Sequence, residues 1–361
     1  MSTSLTELPS QMRASVLTGA GMIGMQERPV PTVLPDEVLI KIAAVGVCGS
    51  DVHYYREGRI GDFVVDAPLV LGHEAGGRIV ALGDGVAPER LGERVAIEPQ
   101  RPCRVCAQCK AVRYNLCPHM RFYATPPVDG ALCEYVTIQA DFAHPVPDAL
   151  SDDAAALLEP LSVGIWTARK ARIVPGSSVL IAGAGPIGVI TAQAAKAFGA
   201  TDIIVSDPAG DRRQLVTRFG ATRTLDPREE SVHDLGVDAF IDASGVAPAV
   251  VDGIKAVRGA GTVVLVGMGA DEVAAHSRHP NPGTHGHRRV PLHRHLAGGH
   301  RPRRVGTGRP RRTGHRALPA GGGRGRADLR HGAGQSQVGG AAVTALESFN
   351  PDRQDCIGHR G

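Results

Sequence analysis

The chain has 361 residues and a formal net charge of +4, length enough for about two domains with separate cores. Two unlike parts make up that charge: residues 276–361 hold 16 Arg, no Lys and four acids, whereas residues 1–275 hold 24 basic and 32 acidic residues, a net of −8. The body is therefore acidic, which excludes a nucleic-acid partner inferred from the overall pI. No stretch of about eighteen apolar residues is present, which excludes a membrane-spanning helix. Met1 to Gln11 has neither a basic start nor a long apolar run, so a reducing, cytoplasmic setting is expected.

Residues 12–150 read as short β-segments broken by Gly and Pro. Val38–Ile42 and Arg78–Leu82 are β-rich runs, and Gly83-Asp84-Gly85 and Pro126-Pro127-Val128-Asp129-Gly130 mark turns. The pattern predicts a small barrel-like β domain. Gly19-Ala20-Gly21-Met22-Ile23-Gly24 fits a dinucleotide-type glycine pattern, but Pro29 and Pro31 follow too soon for a crossover helix, so a β-turn is expected there.

Two groups of metal-ligand types stand in this region. Cys48, His73 and Glu74, with Glu159 further along, supply a thiolate, an imidazole and carboxylates from distant points of the chain. Such a set holds zinc in a preformed cleft with one position open, which points to catalysis. Cys103, Cys106, Cys109 and Cys117 lie within fifteen residues and can close a tetrahedron around a structural zinc; the alternative is a disulfide pair. Cys133 reads as a buried apolar filler, and His119, His144 and His233 as surface residues.

From residue 151 the pattern changes. Ser151 can cap a helix through Asp152–Leu158 with its acids in the first turn. A strand Ser178–Ala182, the turn Gly183-Ala184-Gly185-Pro186-Ile187-Gly188, a helix Val189–Phe198 and a strand Asp202–Ser206 ending in Asp207 form a βαβ dinucleotide unit. Its glycines let a pyrophosphate approach the helix N-terminus. Asp207 stands 19 residues past Gly188, where a carboxylate accepts bonds from ribose hydroxyls; this favours NAD over NADP, a preference that Arg212 and Arg213 soften. Further strands are expected at Asp238–Asp242 and Thr262–Val266.

Together these segments resemble the zinc-dependent medium-chain dehydrogenases, within them the sorbitol (L-iditol) and xylitol dehydrogenase branch. The stretches that carry the likeness are Cys48–Tyr55, Gly58–Val65, Leu71–Glu74, Arg113–Cys117, Ala124–Pro127 and Glu159–Gly164, and it runs from about residue 12 to 273. The resemblance implies an α/β fold: a GroES-like β-barrel catalytic domain over 12–162 and a Rossmann doubly wound parallel sheet over 163–275. It implies a catalytic zinc on Cys48, His73 and Glu74, with Glu159 bonding the zinc water or entering the shell. Tyr54, Ile60, Phe122 and Thr125, with Glu159, would line a pocket for a small-molecule polyol. Gly183, Gly185, Pro186, Ile187, Gly188, Asp207 and Arg212, with Val266, Gly267 and Met268 at a strand end, would hold NAD. The metal would acidify the substrate hydroxyl, the carbon would pass hydride to the nicotinamide, and the proton would leave through Ser50 or His53. Homodimer or homotetramer assembly is implied; from charge and hydropathy, no membrane partner is expected, and no nucleic-acid partner for the body. Competing readings are a threonine or secondary-alcohol dehydrogenase of the same superfamily, or an inactive zinc- and NAD-binding remnant with a basic tail.

The likeness stops after Val273. Residues 276–361 hold 10 of the 15 His, one aromatic (Phe349) and Gly/Arg/Pro/His runs. An RNA-binding tail and disorder are two readings. A third is a frame slip: back-translated with allowed codons and read one base later, 276–297 and 314–338 can both encode sequence like the family's C-terminal part. A slip near residues 274–276 predicts that resequencing the gene there finds a one-base shift; an intact frame excludes it.

Overall fold

The computed structural model describes residues 8–269 and the backbone of Gln335 and Ser336; the frame-slip reading of residues 276–361 otherwise lies outside the described residues. β1 (Gln11–Gly19) and β2 (Met22–Pro29) form an antiparallel hairpin. Its turn is Ala20-Gly21, with Gly21 at φ +72, so the first glycine pattern is a turn, as expected. β3 (Glu37–Cys48) runs straight into α1 (Gly49–Glu57). β4 (Arg59–Ile60) and β5 (Phe63–Val64) pair with each other, and β6 (Leu69–Val70) pairs with β1. β7 (Glu74–Leu82), β8 (Arg94–Ile97), β9 (Gln100–Arg101), a one-turn α2 (Ala107–Lys110), β10 (Arg121–Phe122), β11 (Tyr135–Gln139) and β12 (Ala143–Pro145) complete the first domain.

Its main sheet has the order β11-β3-β7-β8-β12, antiparallel throughout. Ile40, Ile79 and Ile138 are fully buried in its core. Burial of each such side chain contributes about 1.5–3 kcal/mol. In the β3–β7 register Gly46 faces Glu74. A Cβ on Gly46 would overlap Glu74 Oε2, so the missing side chain makes room for a carboxylate.

The second half begins with α3 (Asp152–Ala156), where Ser151 Oγ accepts the Ala154 N–H at 3.1 Å. The helix breaks at Leu157 and restarts as α4 (Leu158–Lys170). β13 (Ser178–Ala182), α5 (Pro186–Ala197), β14 (Asp202–Ser206), α6 (Gly210–Thr217), β15 (Arg223–Leu225), β16 (Val237–Asp242), α7 (Ala247–Ala256) and β17 (Val257–Leu265) follow. The sheet is parallel in the order β15-β14-β13-β16-β17, a doubly wound arrangement whose order reverses at β13. α5 starts at Pro186, ahead of the expected Val189, because proline is well placed in a first turn where its missing N–H costs nothing. β17 starts five residues earlier than the expected Thr262, and Val266–Met268 lie just past its end. Gln335–Ser336 (β18) pair antiparallel with Cys48 and Val47.

Alternation splits the sheet's core. Val179, Ile181, Ile203 and Val205 pack in one cluster with Ala192 and Ala195 of α5, while Leu180, Ile204 and Phe240 pack with Ala256 of α7 in the other. α4 links the two halves: its Gly164 lies so close to Ile190 of α5 that a Cβ would overlap the Ile190 side chain. Met268 packs against the first domain's core. Among the described residues no helix is long and apolar enough to cross a membrane.

A Cβ on Gly253 in α7 would overlap the ring of fully buried Phe240. Gly253→Ala should therefore destabilise the fold by about 1–3 kcal/mol through overpacking, against a helix-propensity gain of about 1 kcal/mol. Urea unfolding of the variant measures the balance, and a gain in stability would contradict this packing.

Candidate active site

Cys48, His73 and Glu74 meet where the ends of β3 and β7 lie side by side. Their ligand atoms lie within 4.8 Å of one another and all three residues are buried. Gly72, at φ +86, turns the chain into the His73-Glu74 pair; only glycine adopts that conformation without strain. Asp51 lies beneath them, fully buried. Its carboxylate accepts the Cys48 N–H at 2.9 Å and the Gly72 N–H at 2.9 Å, and it stands 3.9 Å from His73 Nδ1. The role of Asp51 was missed in the sequence. The available signal was an acid at the third position of a helix that starts after Cys48, where a side chain reaches back to the capping N–H.

The electrostatics of this cluster call for a cation. Burial, then the charges of Glu74 and Asp51, push the Cys48 thiol well above its usual range, opposed by hydrogen bonding to Ser50. Glu159 lies in the first turn of α4. Desolvation raises its pKa, partly offset by attraction to His73.

Two of the expected pocket residues lie by this cluster, Phe122 against His73 and Tyr54 in the field of Asp51. The Phe122 ring lies 5.4 Å from the His73 ring, tilted by 59°. Tyr54 is buried and its hydroxyl bonds to the Thr125 side chain, and Ile60 is buried at 4% exposure. Ser50 and His53 lie on α1, and His53 Nε2 sits 3.2 Å from Glu57 one turn on.

The four-cysteine lobe is equally well assembled. The sulfurs of Cys103, Cys106, Cys109 and Cys117 lie within 4.8 Å of one another, and all four are free thiols. Cys106 Sγ accepts the Cys109 N–H at 3.5 Å, and Cys117 Sγ accepts the N–H groups of Cys103 and His119 at 3.4 Å each. The Val105 N–H lowers Cys103 to about 6, whereas desolvation and then Cys106 push Cys109 up to about 12. Arg104 reaches Asp141 at 2.5 Å and lies over the Phe142 ring, against which Tyr114 packs edge-on, tying the lobe to the barrel. Cys133 is buried, as expected of a filler. His119 and His144 are exposed and His233 is half-buried, and two of the three have carboxylate partners: His144 with Glu98 at 3.0 Å and His233 with Asp252 at 2.7 Å. Those partners are remote in sequence, so no local pattern announces them.

At the carboxyl end of β13, Gly183 turns the chain at φ +98. A Cβ on Gly188 would overlap the Gly183 carbonyl, whereas one on Gly185 would meet nothing within 4 Å. The turn is thus tight where helix meets strand and open above Gly185. Pro186 and Ile187 form the first turn of α5, and Ile187 is buried. Asp207 is buried, and its two carboxylate oxygens accept the Ala184 and Ala209 N–H groups at 2.8 Å each. Each oxygen keeps a lone pair for a further donor. Arg212 lies in α6, and Val266, Gly267 and Met268 follow β17.

These donors suit the groups they would hold. Thiolate, imidazole and carboxylate within one buried cluster fit zinc, as do four thiols with N–H support. An open cradle at a helix N-terminus, with a spare carboxylate at the next strand end, fits a dinucleotide.

Comparison with known proteins agrees with this geometry. Residues 34–148 match the family model described as alcohol dehydrogenase GroES-like domain, and residues 186–289 the one described as zinc-binding dehydrogenase. The sorbitol dehydrogenase of Bacillus subtilis is 44% identical over 72% of this chain and 76% of its own length. The "Probable D-xylulose reductase A" of Neosartorya fischeri is 43% identical over 73% and 77%. Among solved structures, a protein of Sinorhizobium meliloti described as a zinc-binding dehydrogenase, bound to NADP, superposes with a TM-score of 0.67 at 32% identity, covering 76% of this chain and 81% of that one. With two family models in tandem and relatives above 40% identity, this chain belongs to the zinc-dependent medium-chain dehydrogenases, in their polyol dehydrogenase branch.

Proposed function

We propose that the chain oxidises a polyol such as sorbitol, xylitol or L-iditol to the ketose, with zinc and NAD as cofactors. The observation that carries this reading is the buried convergence of Cys48, His73 and Glu74, with the Phe122 ring 5.4 Å from His73. The named relatives act on sugars and polyols, which disfavours a threonine or simple secondary-alcohol substrate.

In this reading Cys48, His73 and Glu74 hold the catalytic zinc, and Cys103, Cys106, Cys109 and Cys117 the structural one. Bound there, the catalytic metal supplies Lewis acidity to the substrate hydroxyl, and NAD the hydride acceptor. Asp51 fixes the Cys48 and Gly72 backbone, so the ligands keep their places without substrate. Glu159, whose pKa burial raises, would bond the water on the zinc or enter its shell, as the family resemblance implies. Phe122 and Ile60 exclude water from the pocket, and the Tyr54–Thr125 pair offers hydroxyls to the polyol chain. Ser50 and His53 on α1 carry the hydroxyl proton outward, and Glu57 steadies His53. At the other end Gly185 admits the pyrophosphate and Asp207 accepts from the adenosine ribose. Ile187, Arg212 and Val266–Met268 complete that side.

Residues 12–162 form the catalytic domain and 163–275 the nucleotide domain in this assignment, with 276–361 out of frame. About a quarter of the length is unmatched in both the chain and the Bacillus relative, which supports a frame slip over an added tail. The zinc-binding dehydrogenase match reaching residue 289 counts in part against a break as early as 276. Thiols kept as zinc ligands suit a reducing cytoplasm. Homodimer or homotetramer assembly rests on the family resemblance alone.

Two outcomes are expected. The chain should reduce NAD with sorbitol or xylitol, and Cys48→Ser should cut kcat by at least about a hundredfold while removing one of two zincs by metal analysis. Zinc and NAD binding without turnover by the wild-type chain, alongside turnover by a frame-restored one, would instead mark it as an inactive remnant. Gly185→Ala, at an ordinary φ of −70 and in open space, should leave the melting temperature within about 2 °C. It should raise the KM for NAD at least about tenfold by filling the pyrophosphate cradle; an unchanged KM would exclude that cradle.

A further inference from the structure

Arg213 and Arg228 lie beneath the segment Asp207–Ala209, where the adenosine ribose is placed in the reading above. Free guanidinium groups there would welcome a 2′-phosphate. Neither is free. Arg213 Nη1 donates to the Asp207 carbonyl at 2.7 Å and to Asp226 Oδ2 at 3.0 Å. Arg228 donates from Nε to Asp226 Oδ1 at 2.9 Å, and from Nη2 to Asp226 Oδ2 at 2.6 Å and the Pro208 carbonyl at 2.7 Å. Asp226, at the end of β15, is 5% exposed. The side chain and backbone N–H of Arg228 hold its carboxyl well below the usual range, so it is ionised at neutral pH.

We propose that Asp226 is a cofactor-specificity residue: it binds Arg213 and Arg228 against the 207–209 backbone, which holds both guanidinium groups away from a 2′-phosphate and cancels one of their two charges. The four groups Asp207, Asp226, Arg213 and Arg228 sum to zero charge, so a phosphate gains no net attraction from them. The adjacent Asp211 and Arg212 offset each other in the same count. The clamp has a second effect, since both arginines also bond the carbonyls of Asp207 and Pro208 and so hold the loop that presents Asp207. The inference rests on the placement of the adenosine ribose at Asp207.

The test measures nucleotide binding to the full-length chain by calorimetry, with 5′-AMP and adenosine 2′,5′-bisphosphate as probes, so that turnover plays no part. Wild type should prefer 5′-AMP. Asp226→Asn, which leaves a net +1 among the four groups, should raise the affinity ratio of bisphosphate to AMP by roughly tenfold, the size expected of one partly screened charge near a dianion. Arg228→Ala, a change at a side chain 68% exposed, leaves a net −1 and should lower that ratio several-fold. Opposite movements are the signature, because loosening of the loop alone would weaken both probes alike. Equal shifts of both probes in both variants would overturn the inference while leaving the ribose placement intact. If instead wild type binds 5′-AMP and Asp207→Ala does not weaken it, the ribose placement itself fails.

Discussion

Three acidic groups buried within a few ångströms of each other dominate this structure. Cys48, Glu74 and Asp51 share one low-dielectric site beside His73. Burying a charged group costs several kcal/mol, and placing acids side by side adds to that cost. A divalent cation turns the same arrangement from repulsive to attractive. Much of the first domain serves to hold this cluster. The β3–β7 register sets Gly46 against Glu74, Gly72 turns His73 inward, and Asp51 ties the start of α1 to both strands.

The link from this cluster to the nucleotide domain is mechanical. The break at Leu157 starts a new helix just ahead of Glu159, which places that acid in the field of His73. One turn on, Gly164 lets α4 lie against α5, the helix that opens at Pro186 just after Gly185. A single rigid helix therefore sets the distance between the metal cluster and the dinucleotide turn. Met268, beyond the end of β17, adds a second contact between the domains.

At the far end of the nucleotide sheet, charge is balanced through paired side chains. Asp207 uses both oxygens to fix the backbone at Ala184 and Ala209, and two arginines close the loop from below through Asp226. The similar Sinorhizobium protein binds NADP, so the shared fold does not by itself choose between the two cofactors. The choice lies in how the few charges around the ribose are paired.

Much of this was legible in the chain. The βαβ unit was read correctly because its strand, glycine turn, helix and terminal acid follow one another within thirty residues, and backbone requirements there act locally. Ligand types and cysteine spacing singled out both groups of residues that the fold brings together and that could hold a metal. The partners of His144 and His233, the anchoring role of Asp51 and the pairing of Arg213 with Asp226 were not legible. Arg212 and Arg213 in sequence promised a softened preference for NAD, yet Arg213 is committed to a carboxylate thirteen residues away on a neighbouring strand. Residue chemistry and local spacing thus determined which groups the protein can bind. Which charges remain available to a ligand was decided only when the sheet brought distant side chains within hydrogen-bond reach, because a charge's partner depends on distance in space and not along the chain.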